Sequence, residues 1–283
     1  MAAVGARCGL SEDDAVAVAC VVLPEVCQGE VSVERGGEHT VVVSPGVGAV
    51  RIATGDRSAA LMPRRTALLA QLSALKLPFA VPVPLSEVVD IDGHTAVATS
   101  WVPGVPHPKG EGNPAALAHI LAALRRIDVR ALEGLLAAPH GYAGGARWAG
   151  LMADAVTCLP ADVRPDARGR LDDALALPEV EPSLVHADLA GHNMRWGDDG
   201  RLLGIIDWDW AAAWDPAVDA ACLAWHGWAT VGAAVDAETY RRARVWQRTF
   251  GIEQIVAGWL RPPGPADVVR RTAEWLRRTR DET

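Results

Sequence analysis

The chain has 283 residues, of which 50% are apolar and 22% charged, so it can bury a large core in one domain or two lobes and is not disordered by composition. A net charge of −8 argues against a nucleic-acid binder, which needs concentrated Lys and Arg against a phosphate backbone. The same charge suits a small cationic partner.

In chain order, MAAVGARCGLSEDD lacks the long apolar core of a leader and AVAVACVVL is too short to span a bilayer, so no membrane anchor is expected. Cys8, Cys20, Cys27, Cys158 and Cys222 are dispersed without a CxxC pair. That pattern predicts neither a disulfide framework nor a zinc site, but mostly buried thiols in a reducing cytoplasm. Ser11, followed by Glu12, Asp13 and Asp14, predicts a capped helix that ends at Pro24. Val31 and Val33, then Val41 to Val43, then Val50 and Ile52 are β-branched clusters separated by Gly36-Gly37 and by Ser44 to Gly48. They read as three strands and two hairpins.

A helix is expected near Pro63 to Leu75, then two strands joined across Asp92-Gly93, a strong two-residue hairpin signal. Asn113 and Pro114 open a helix whose Leu117, Ile120, Leu121, Leu124 and Ile127 form an apolar stripe. Helical stretches follow near 129–137, 146–158 and 165–176, and again from Asp236 to Arg280 with a break at Pro262 to Pro265.

The chemistry is concentrated in residues 183–219. His186, Asp188 and Asn193 form HxDxxxxN, and Asp207 follows the apolar strand LLGII. HxDxxxxN alone arises by chance in about one or two chains in a hundred of this length, so the second acid in series matters. Phosphoryl transfer calls for this set. A carboxylate beside the attacking hydroxyl accepts its proton, a role open to Asp188. An amide oxygen and a second carboxylate hold magnesium, a hard cation that takes oxygen ligands, and Asn193 and Asp207 offer both. Read plainly, all four residues would be loop residues capping turns. His186 suits loop support, its neutral ring bonding to backbone. Trp208, Trp210 and Trp214 would wall the cleft or stack on a ligand.

HADLAGHN, GIIDWDWAAAWDP and AVDAACLA resemble the catalytic and metal-binding segments of the aminoglycoside phosphotransferase family, relatives of protein kinases. Ala187 stands at the family's commoner glycine and Ala220 at its usual leucine. The resemblance implies an α+β, two-lobed protein-kinase-like fold. Residues 1–103 would form a β-rich nucleotide-binding lobe with hinge, and 104–283 a mainly helical catalytic and substrate-binding lobe. It also implies transfer of the γ-phosphoryl group of ATP or GTP, with Mg2+, to a hydroxyl of a small cationic antibiotic, giving resistance. Asp188 would be catalytic, Asn193 and Asp207 would bind the metal, and Asp215 and Asp219 would organise the loop.

For the first lobe, the resemblance implies a phosphate-covering turn, with ERGGEHT at 34–40 as candidate or an ordinary hairpin, and a strand cation. Arg51 in AVRIA stands where a lysine is commoner, or is an exposed strand arginine. The Ser100 carbonyl and Val102 N–H of SWVPG would meet the base. The helix glutamate that usually pairs with the cation is missing: Arg64, Arg65 and Thr66 lie there, leaving Glu38 or Glu87 as substitutes. The layout is most similar to the viomycin and capreomycin phosphotransferases, which act on cyclic basic peptides. Competing readings are an aminoglycoside, macrolide or metabolic-alcohol kinase, a non-catalytic nucleotide- or drug-binding module, and a metal-dependent hydrolase. The oligomeric state stays open, and neither nucleic acid nor membrane is an expected partner.

Overall fold

The structure, a computed structural model, describes residues 10–261 and 267–280. The expected break at Pro262 to Pro265, Cys8 and the rest of residues 1–9 lie outside the described residues. The chain divides into two compact units, Met1–Pro106 with Met194–Ile206, and His107–Asn193 with Asp207–Thr283.

The first unit begins with α1 (Glu12–Val22), whose first turn is sealed by the Asp14 N–H donating to Ser11 Oγ at 3.1 Å. There follow β1 (Ser32–Arg35), β2 (His39–Ser44), β3 (Gly48–Ala53), α2 (Asp56–Ala74), β4 (Val89–Ile91) and β5 (His94–Ser100). The strands form one antiparallel sheet in the order β1-β2-β3-β5-β4. Alternation turns Val50 and Ile52 of β3 inward onto Ala15, Val18 and Ala19 of α1, so Arg51 stands on the opposite face. The β4–β5 turn holds Asp92 at φ +51° and Gly93 at φ +82°, the left-handed pair that a type I′ hairpin requires.

Two expectations need correction here. Helix α2 starts at Asp56 rather than near Pro63, which lies inside it. The start is fixed by the Gly55 N–H donating to Ser58 Oγ at 3.1 Å and the Ser58 hydroxyl donating to the Gly55 carbonyl at 2.9 Å. Burial of Met62, Leu68, Leu69 and Leu72 along one face outweighs the roughly 3 kcal/mol that an interior proline costs. The cysteines also differ from expectation. Cys20 and Cys27 form a disulfide, because the end of α1 and the following turn bring their Cα atoms to 5.5 Å. Of the free thiols described, Cys158 is exposed and Cys222 half-buried.

The second unit opens with α3 (Pro114–Arg125), capped by Asn113 Oδ1, which accepts from the Ala115 and Ala116 N–H groups. The helix expected at 129–137 is only a 3-10 turn, Val129–Leu132, which Gly134 at φ +79° ends. Then come α4 (Trp148–Cys158), α5 (Arg164–Leu175) and β6 (Ser183–Val185). The chain passes into the first unit as the antiparallel pair β7 (Met194–Trp196) and β8 (Leu202–Ile205), which is tied there by Ala80 N–H to Leu203 O at 2.8 Å and Ile205 N–H to Ala80 O at 2.9 Å. It returns as β9 (Ala212–Trp214), paired antiparallel with β6, and ends in α6 (Ala217–Cys222), α7 (Trp228–Ala234), α8 (Ala237–Gln247), α9 (Phe250–Leu260) and α10 (Val268–Arg278). Arg242 of α8 pairs with buried Asp215 at 2.5 Å, and Trp246 Nε1 donates to the same carboxylate oxygen at 2.7 Å, which locks α8 to the start of α6.

Candidate active site

In the second unit, the loop after β6 is shaped by one buried carboxylate. Asp219 Oδ2 accepts the His186 N–H at 2.8 Å and Oδ1 accepts the Ala187 N–H at 2.9 Å. Two successive N–H groups converging on one carboxylate bend the backbone sharply, and Ala187 sits at φ +62°. Glycine would reach that conformation at no steric cost, whereas the alanine present holds it against its Cβ. Burial raises Asp219 to about 7 against the lowering effect of the two N–H bonds, and the nearby charge of Asp188 raises it further.

The bend delivers Asp188 to a half-exposed position. Its own N–H donates to His186 Nδ1 at 3.2 Å, so that nitrogen is unprotonated and the imidazole serves the loop as an acceptor. The His186 ring is fully buried and meets Trp208 edge-on, at 4.7 Å between centroids. Trp208 is therefore wall rather than platform. Asn193, also buried, donates its Nδ2 to the Asp188 carbonyl at 2.9 Å and to Asp188 Oδ2 at 3.0 Å. Both amide hydrogens are thus spent on Asp188, and Oδ1 keeps the lone pairs of an oxygen ligand.

Asp207 reaches the same region by a different route. Met194, next to Asn193, pairs with Ile205, so Asn193 and Asp207 leave one end of the β7–β8 pair together. Its neighbour Trp208 packs on His186, and Asp207 holds φ +62°, rare for a non-glycine residue. Beneath the loop, a Cβ on Gly191 would lie 2.2 Å from the Trp225 indole, so only glycine permits that approach. Among the described residues, no group of three or more His, Cys, Asp or Glu side chains is placed to hold a metal by itself.

Sequence reasoning missed several neighbours. His192 Nε2 lies 3.8 Å from Asp188 Oδ2. Tyr142 meets Trp210 edge-on at 5.6 Å, donates to Gln254 Oε1 at 2.8 Å and lies 4.1 Å under the Arg261 guanidinium. Burial raises the Tyr142 phenol, Arg261 opposes that shift, and the negative charge of Asp188 adds to it, which places the phenol within electrostatic reach of the loop. Nothing in their spacing marks these residues, because helices distant in sequence supply them.

In the first unit, Arg51 Nη2 lies 3.1 Å from His39 Nδ1 on the neighbouring strand. Ser100 ends β5, and its N–H and Oγ are engaged by Val83 at 2.7 and 2.9 Å. Val102 follows with a buried side chain. Of the two substitute carboxylates, Glu38 lies 2.5 Å from Arg65 of α2.

The family model described as the phosphotransferase enzyme family matches residues 34–254. Viomycin phosphotransferase of Streptomyces vinaceus is 28% identical over 268 residues, covering 82% of this chain and 88% of that protein. Among solved structures, the GDP and kanamycin complex of APH(2")-IIia superposes with a TM-score of 0.76 at 19% identity, over 95% of this chain and 99% of that one. Macrolide 2'-phosphotransferase type I gives 0.63 at 18%, again over 95% and 99%. At these identities the structures establish the fold, the α+β protein-kinase-like aminoglycoside phosphotransferase fold.

Proposed function

Since this chain belongs to the phosphotransferase enzyme family and is an NTP-dependent kinase of small molecules, we propose that it phosphorylates a hydroxyl of a cationic antibiotic, a tuberactinomycin such as viomycin or capreomycin, and so confers resistance. The observation that carries the reading is the Asp188–Asn193 pair: the amide anchors one carboxylate oxygen and leaves the other for a substrate hydroxyl. The viomycin phosphotransferase of Streptomyces vinaceus supports the acceptor class, as does the net charge of −8. Adding a phosphate dianion to a cationic drug alters the charge by which it recognises its target.

In this reading Asp188 orients the acceptor hydroxyl and takes its proton as the new O–P bond forms. Asn193 holds the carboxylate in place, and the Asp219 carboxylate holds the loop that carries it. The donor set fits magnesium: Asn193 Oδ1 and the Asp207 carboxylate are hard oxygens, and a pair suffices when phosphates and water complete the shell. When bound there, the ion would neutralise charge on the donor's phosphates. In the first unit, Arg51 would meet those phosphates, the Gly36-Gly37 turn would cover them, and the Ser100 carbonyl and Val102 N–H would receive the base.

Mass spectrometry of viomycin and capreomycin incubated with the protein, magnesium and ATP or GTP tests the reading. One added phosphoryl group is expected, and Asp188→Asn should lower kcat by about 10³-fold while nucleotide still binds. Turnover that survives this substitution would refute the mechanism. Modification of an aminoglycoside or a macrolide alone would refute the acceptor class and leave the mechanism standing.

A further inference from the structure

The first unit contains a buried ion pair that the proposed chemistry does not use. Arg65, on the inner face of α2, has only 3% of its side chain exposed, and its Nη2 lies 2.5 Å from Oε2 of Glu38, which is 12% exposed. Taking a guanidinium and a carboxylate out of water costs several kcal/mol per ion before their attraction offsets it, so such a pair is poor evidence for stability alone. Its location suggests what else it does. Glu38 follows Gly36-Gly37 directly, in the turn between β1 and β2. That turn is closed by the Gly36 N–H donating to the His39 carbonyl at 2.9 Å, and it is stitched to the end of β3 by the Thr54 N–H donating to the Glu38 carbonyl at 3.1 Å. The next residue, His39, is the neighbour of Arg51. One run thus joins α2, the glycine turn and the strand cation.

The glycines point the same way. Neither Gly36 nor Gly37 has positive φ, and a Cβ on Gly37 would meet nothing within 4 Å. Protein sterics therefore give no reason for a glycine at 37. Close approach of a ligand to the backbone would be one.

We infer that Glu38 and Arg65 are positioning residues for the nucleotide: with the acid on the sheet and the cation on the helix, they hold the Gly36-Gly37 turn at the height at which its backbone N–H groups meet phosphate oxygens. Arg65 is too buried to touch the ligand and acts through Glu38. The inference rests on the proposed reading of that turn as the phosphate cover.

The test measures the Kd of ATP and of GTP with magnesium, alongside Tm and acceptor KM, in the full chain and in Glu38→Gln, Arg65→Met, the double variant and Gly37→Val. Each single pair variant removes one charge of the buried pair and keeps the other, so Tm falls and the nucleotide Kd rises about tenfold. The double variant removes both charges and recovers Tm, as buried pairs replaced together generally do. Its nucleotide Kd stays raised while acceptor KM holds. Recovery of Kd together with Tm would reduce the pair to a structural role and overturn the inference, as would single variants that bind nucleotide normally. Gly37→Val separates the two levels. If it leaves Kd unchanged, the turn is not a phosphate cover and the reading beneath fails. If it raises Kd while the pair variants do not, only the positioning inference fails.

Discussion

Around the residues proposed to act, the two units hold their charged groups in opposite ways, although Asp215 and Arg242 of the second unit also form a buried side-chain pair. In the second, one buried carboxylate, Asp219, is met by backbone N–H groups, and a side-chain amide fixes the orientation of Asp188. In the first, Glu38 meets a side-chain guanidinium, and the atoms proposed to face the nucleotide are largely backbone. Backbone N–H groups are present whatever side chains the loop carries, so the second arrangement fixes the acceptor type that must meet them. A side-chain pair can exchange ends between sheet and helix, keep its charge product and leave no constant mark in the sequence. The first unit has freedom where the second has almost none.

The sharpest way to break this comparison is Asp219→Ala, which takes the Asp219 acceptor from a buried and a half-buried N–H group at once. Displacement of Asp188 by about 1 Å should lower kcat roughly a hundredfold, and the orphaned donors should cost about 1–3 kcal/mol in denaturant unfolding. Activity within a few-fold of wild type would show that the loop holds its shape without the carboxylate. A milder version uses pH. Because the folded value of Asp219, about 7, lies above the ordinary 3.8, folding takes up a proton there. Its stabilising contribution is full below about pH 3.8 and fades as pH rises through about 7. Asp219→Asn cannot titrate, so the Tm advantage of wild type over this variant should narrow between those limits. A gap that widens with rising pH would mean that the carboxylate is ionised throughout.

In the first unit a smaller effect is expected from Gly37→Val, a side chain placed where the protein leaves open space. Nucleotide Kd should rise about tenfold, close to 1.4 kcal/mol, with Tm unchanged. An unchanged Kd would remove the reading of this turn as a phosphate cover.

How much was legible follows the same division. The spacing HxDxxxxN placed Asp188 and Asn193 together because each contributes side-chain atoms that few residue types own, and they are in hydrogen-bonding contact. The strand and hairpin pattern was equally plain, since Asp92-Gly93 is built for the left-handed turn it forms. The start of α2 was hidden because Pro63 reads as a boundary, while the apolar face that overrides it is visible only once packed. Cys20 and Cys27 carried no metal-like or paired spacing, and it is the end of α1 that brings them together. Arg65 stands beside Arg64 with nothing in the sequence to single it out, yet it is buried against an acid 27 positions earlier. Tyr142 and Arg261, which meet by tertiary folding alone, left no trace at all.

The smallest predicted effect probes the point at which the backbone's demand and the residue present disagree. Ala187 holds φ +62° because the N–H groups on either side of His186 Cα must converge on Asp219, and a left-handed conformation costs a Cβ-bearing residue about 1 kcal/mol or more. Ala187→Gly removes that strain but gives the unfolded chain more freedom, which takes back part of the gain. The net expectation is stabilisation by about 0.5–1 kcal/mol, read as a higher denaturant midpoint at unchanged m-value. The kcat should hold, since Asp188 is placed by Asp219 and Asn193 rather than by the methyl group of residue 187. A lower midpoint would mean that the methyl contributes packing that exceeds the strain it imposes, and that alanine is the better residue for this loop.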